Sequence, residues 1–109
     1  MARRATWLAA AALLACAPGA AQAAAAPDAK AAFATHCAIC HLQGGAGTYM
    51  LSRRLGPDKS LLLARKDLQP IYVTTVVRRG LGSMPWFTRV EVTDAELKAI
   101  AAYLSTGAS

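Results

Sequence analysis

An all-α fold of three to four helices is what the sequence predicts, and three observations carry it. Leu97, Ile100, Ala101 and Leu104 recur at helical spacing behind a helix-start signal at Thr93, and no βαβ pattern is visible around the cysteines. The pentad Cys37-Ala38-Ile39-Cys40-His41 has the C-x-x-C-H spacing of a site where haem is attached covalently. The chain has 109 residues and is 55% apolar, but much of that apolar content is an alanine-rich N-terminus. What remains is short enough that a protein-only core is marginal, and a buried, covalently held cofactor would act as the staple such small domains need.

In the pentad, the Cys37 and Cys40 thiols would add across the haem vinyl groups as thioethers. The spacing then sets His41 on the proximal face with an imidazole nitrogen toward iron, so His41 is the expected fifth ligand. Zinc would need a second ligand pair, and no cysteine follows Cys40. A thioredoxin-like dithiol would need a strand before the pair. A haem-free redox dithiol and a structural disulfide stay open as rivals.

The segment before the pentad opens with basic Arg3 and Arg4, continues through an apolar run from Trp7 to about Ala17, and ends in small residues at Ala21-Gln22-Ala23. That is the pattern of a secretory signal peptide, placed at 1–23, with a single domain from 24 to 109. The run is shorter than the roughly 20 apolar residues that span a bilayer, so no transmembrane helix is expected in the mature chain. Export fits the pentad, since c-type haem is attached outside the bacterial inner membrane. Leu13-Leu14-Ala15-Cys16 also resembles a lipobox, which would make Cys16 a lipid anchor and the product a tethered lipoprotein; the A-x-A site downstream favours cleavage and a free periplasmic protein.

Loss of Arg3 and Arg4 takes the formal charge from +6 to +4. Three basic doublets, Arg53-Arg54, Arg65-Lys66 and Arg78-Arg79, could steer an acidic protein partner, or could be scattered solvated charge. No nucleic-acid partner is expected, because the compartment is wrong and no binding motif accompanies the doublets.

Pro27-Asp28 opens the first helix, with Asp28 as its cap. Phe33 precedes Cys37 by one helical turn and faces the same way. His36 adjoins Cys37 and is expected to point away from the face of His41, exposed or beside the site. Gly44, Gly45 and Gly47 predict a flexible loop without ordered helix, and a short helix is expected after Pro57. A second helix is predicted to start at Asp67-Leu68-Gln69-Pro70, with Ile71, Val73, Val76 and Val77 on its apolar side and Gly80 at its end. Gly80 to Phe87 is a loop that contains Met84-Pro85, with Trp86 and Phe87 expected to pack inside it. Thr93 and Glu96 form a capping box at the head of the last helix, whose apolar stripe is expected to meet the helix of Phe33.

This order of helix, C-x-x-C-H, glycine loop, helix, M-P loop and terminal helix resembles a class I (monohaem, His/Met) cytochrome c over the whole mature length. The resemblance implies a cytochrome c-like fold around one haem c, with Met84 as distal iron ligand and Phe33 against Tyr103 between the terminal helices. Met50 lies only nine residues beyond His41, so its short loop would have to wrap the haem edge to compete. Two positions depart from the family pattern. Ala29 stands where a glycine is usual. Thr48 stands near the usual proline, which leaves open the carbonyl that orients His41.

The run V-V-R-R-G followed by M-P-W-F is also similar to small cytochrome subunits of periplasmic dehydrogenases, such as that of p-cresol methylhydroxylase. The function implied is one-electron transfer in the periplasm, without catalysis of its own, from a dehydrogenase to a terminal oxidase or another cytochrome. The alternatives are a haem protein with an open distal site, for peroxide or gas, and the haem-free dithiol module.

Overall fold

The computed structural model describes residue 19 and residues 25–107. The expected signal segment, its cleavage site and Cys16 therefore lie outside the described residues. Among those described there is no strand, and no helix is long and apolar enough to cross a membrane.

The fold is all-α as expected, with five α-helices among the described residues against the three to four expected: α1 (Ala29–His36), α2 (Ala38–His41), α3 (Ala46–Leu55), α4 (Pro70–Arg79) and α5 (Asp94–Ser105). The extra elements come from the pentad and the glycine segment. The chain breaks at Cys37 and resumes as the four-residue α2, in which His41 N–H donates to the Cys37 carbonyl at 3.0 Å. Residues after Gly45 form α3 where a loop was predicted. Gly45 stays extended (φ −72°, ψ 151°) and caps the helix, Tyr49 N–H reaches its carbonyl at 3.0 Å, and the Thr48 hydroxyl ties the new helix to the Leu42 carbonyl at 2.8 Å. The loop shrinks to a turn in which Gly44 alone takes a left-handed conformation (φ 81°).

Asp28 caps α1 as its position predicts, its carboxylate accepting from the N–H groups of Lys30 and Ala31 at 3.0 and 3.2 Å. After α3, two single 3₁₀ turns, Pro57–Lys59 and Leu62–Ala64, stand where a short helix was expected. Helix α4 begins at Pro70, not Asp67. The residue before a proline is pushed out of the helical region, and Gln69 is extended (ψ 138°). The Asp67 carboxylate is bound by Arg65, at 2.8 and 3.0 Å, so it caps nothing. Ile71 and Val73 stand about 200° apart on the helix and cannot share one face. Val73 and Val77, one turn apart, go inside with Leu68, while Ile71 is 74% exposed.

The core is the interface of α5 with α1 and α4. Leu97, Ile100, Ala101 and Leu104 lie on one side of α5 and are all buried. Burying a side chain of the size of Leu97 or Ile100 contributes about 1.5–3 kcal/mol. The Phe33 and Tyr103 rings sit 6.2 Å apart at 60°, a tilted pair joining the terminal helices. The capping box at Thr93 is present in full: Thr93 Oγ1 accepts from Glu96 N–H at 3.2 Å, and Thr93 N–H donates to Glu96 Oε2 at 2.9 Å.

Candidate functional site

The pentad is held at the junction of α1 and α2. Its apolar middle residue faces water, with Ile39 86% exposed, while Cys37 is half-buried and His41 is buried. Gly47, in the first turn of α3, makes the room for the His41 ring. A Cβ at that position would stand 2.8 Å from the Cys40 carbonyl oxygen and 2.9 Å from His41 Cε1. Gly47→Ala must therefore displace the imidazole or α3, and overpacking of this kind costs about 1–3 kcal/mol. Thermal melting of the haem-loaded protein is expected to show a lower Tm for Gly47→Ala; an unchanged Tm would mean that the ring does not need this space.

Met84 comes from the loop after α4. Gly80 ends that helix with φ 74°, and a Cβ there would meet the Met84 carbonyl oxygen at 2.9 Å. Leu81 and Met84 exchange both backbone hydrogen bonds, at 3.1 and 3.0 Å, and Phe87 N–H returns to the Val77 carbonyl at 2.8 Å. The glycine conformations thus close a tight turn with Gly82 and Ser83 at its tip and Met84 as its last residue.

These two segments meet at one cavity of about 60 Å³, partly open to solvent. Cys37, Cys40 and His41 border it from the pentad, Met84 and Phe87 from the loop, and Ile100 from α5. The structure therefore brings all four predicted site residues together. Met50 does not border the cavity; it lies on α3 and is half exposed.

His36 departs from the expectation that it points away. It borders the same cavity, and its Nε2 lies 3.3 Å from Glu96 Oε1. The Thr93 hydroxyl, the Thr93 N–H and His36, in that order, hold the Glu96 carboxyl down at about 2. Trp86 also departs, being 62% exposed, whereas Phe87 packs against the core as expected.

The residues fit a covalent haem on three grounds. His41 Nδ1 is the one buried side-chain nitrogen or oxygen without a hydrogen-bond partner among the described residues, and an unpaired buried donor calls for an explanation. With Nδ1 buried, Nε2 is the nitrogen left to the cavity. Burial pushes the His41 pKa down, which keeps the ring neutral and its lone pair free, the state a metal requires. Burial, and then Cys40, push the Cys37 thiol up to about 11, the opposite of the depressed value that an attacking thiol of a redox dithiol needs. Thr48 does not supply the orienting contact: its hydroxyl donates to the Leu42 carbonyl, and His41 Nδ1 has no partner.

Sequence reasoning missed Arg78. It counted as half of a surface doublet, yet its side chain is only 16% exposed and is bonded to the loop that follows Met84. A signal was there in its place in the last turn before Gly80, ahead of a proline-containing loop whose carbonyls lack a helix or sheet to serve them.

A family model described as cytochrome C oxidase, cbb3-type, subunit III matches residues 24–104. No curated protein and no solved structure matches the chain.

Proposed function

This chain belongs to the class I, monohaem cytochrome c family, and on that premise we propose that it is a periplasmic carrier taking single electrons from a dehydrogenase to a terminal oxidase or another cytochrome. At the coarser level it is a haem-based electron carrier with haem c bound covalently. That group supplies a one-electron Fe(III)/Fe(II) couple. The chain's part is to hold and tune it. Cys37 and Cys40 would tether it, His41 and Met84 would ligate the iron, and Val77, Val92, Leu97 and Ile100 would line it with apolar side chains. His/Met ligation in a dry pocket favours Fe(II) and raises the potential.

The single observation that carries this reading is the shared cavity of the pentad and Met84, two segments more than 40 residues apart in sequence. A redox titration of the haem-loaded protein purified from the periplasm tests it. A one-electron Nernst curve, with a reduced form that does not bind carbon monoxide at neutral pH, is expected. Rapid stoichiometric carbon monoxide binding would replace the carrier by an open-site haem protein.

Partner choice leaves its own trace. Arg65 and Arg78 are taken up in ion pairs with Asp67 and Asp94, which leaves Arg53, Arg54, Lys66 and Arg79 as the doublet residues without an ion pair among the described residues. If these four steer the donor, the rate of electron transfer from the dehydrogenase falls as salt rises, because screening shortens to about 10 Å at 0.1 M. A flat salt profile would instead support apolar docking through the exposed Trp86.

A further inference from the structure

Arg78 lies next to the cavity-lining Val77 in the last turn of α4, and its guanidinium reaches four acceptors. Nη1 donates to the carbonyls of Phe87 and Thr88, both at 3.1 Å. Nη2 donates to the Val92 carbonyl at 2.9 Å and to Asp94 Oδ1 at 2.8 Å. No other side chain among the described residues donates to these three carbonyls. They span the segment between Met84 and α5, whose own backbone bonds are few: Phe87 N–H to Val77 and Val92 N–H to Thr88.

We propose that Arg78 is the positioning residue for Met84, its planar fork clamping the Phe87–Val92 segment against α4 and α5 so that the thioether is kept at the cavity. The proposal rests on the reading of Met84 as the iron ligand. Three features of the site single out this residue. The Met84 turn is short and closed by its own backbone pair, so its placement depends on the segment that continues from it. That segment crosses from α4 to α5 without regular structure, and the guanidinium is the one group touching its beginning, its end and the first turn of α5. Finally, Asp94 also binds Arg89, at 2.9 Å, and these two arginines keep its carboxyl below the usual range, so the clamp's counter-charge is present at neutral pH. A lysine cannot replace the fork, because an ammonium carries three donors on a single nitrogen, whereas the four acceptors are served from two.

The test compares haem-loaded Arg78→Gln, Arg78→Lys and Met84→Ala with Lys98→Gln, which removes one exposed charge elsewhere. In urea, the sulfur-to-iron charge-transfer band of Arg78→Gln is expected to be lost before the helices melt, and its reduced form to bind carbon monoxide at least tenfold faster than wild type. Arg78→Lys should fall between, and Lys98→Gln should match wild type. If Arg78→Gln fails to accumulate, hydrogen exchange in Arg78→Lys decides. Faster exchange confined to residues 84–92 supports the clamp, and uniformly faster exchange through α1 and α5 overturns it as mere structural support. Wild-type band stability and carbon monoxide rates in both Arg78 variants, with the band gone in Met84→Ala, would overturn the proposal while leaving the ligand reading intact. A band that survives in Met84→Ala would instead remove the ligand reading on which the clamp rests.

Discussion

In oxidised Met84→Ala, the weak near-infrared sulfur-to-iron band is expected to vanish, the potential to fall and the reduced iron to bind carbon monoxide. Met84 borders the cavity from a turn that its own backbone bonds and Gly80 hold in shape, and Met50, the other methionine among the described residues, does not border it. If the thioether favours Fe(II) over Fe(III) by about a hundredfold, its loss lowers the potential by about 120 mV, at 59 mV per tenfold for one electron. Met50→Ala is expected to change none of these, since Met50 is half exposed on α3. Optical spectra and a redox titration of both variants decide the matter. A band lost with Met50 and kept with Met84 would reverse the assignment.

The second large effect concerns attachment. The double variant Cys37→Ala, Cys40→Ala is expected to lose all haem to acid and organic extraction and to fail to fold cooperatively; either single variant should retain at most one thioether, read from the mass. The cavity touches Val77, Val92, Leu97 and Ile100, which are also the buried core. Left as dry void, its about 60 Å³ would cost about 1.4 kcal/mol at about 24 cal/mol per Å³. That loss, together with the apolar contacts the haem would make, comes off a margin that rarely exceeds about 3–5 kcal/mol in a core of this size. Circular dichroism of the haem-free chain checks it, and a sharp, reversible melt would contradict the view of haem as part of the core.

Signals that act within one turn were legible in the sequence. Asp28 caps α1, the Thr93 box caps α5 and Gly80 stops α4, because each satisfies backbone groups at its own position. The site was legible through spacing, in the pentad, and through the place of Met84 between two helices. What failed needed knowledge of distant partners. Gly47 has poor helix propensity, and α3 forms there because a side chain would collide with His41 and because Thr48 finds the Leu42 carbonyl. Ile71 was expected on the apolar side with Val73, but residues two apart on a helix stand about 200° from each other, so burying Val73 and Val77 turns Ile71 outward. Charge in the sequence likewise does not say which arginine is free, and Arg78 is not.

The first turn of α5 sets a limit on how the chain can vary in length. Within three residues, Asp94 binds Arg78 behind the Met84 loop and Glu96 meets His36 beside the pentad. Each residue of an α-helix turns the chain by about 100°. One residue inserted between Thr93 and Leu97 would therefore swing one of these carboxylates off its partner, or carry Leu97 out of the core. The stretch from Pro57 to Leu63 is built of short 3₁₀ turns and carries no such double obligation, although Leu62 and Leu63 pack against the core. Among relatives, length differences should accumulate there, while the interval from Thr93 to Leu97 stays fixed.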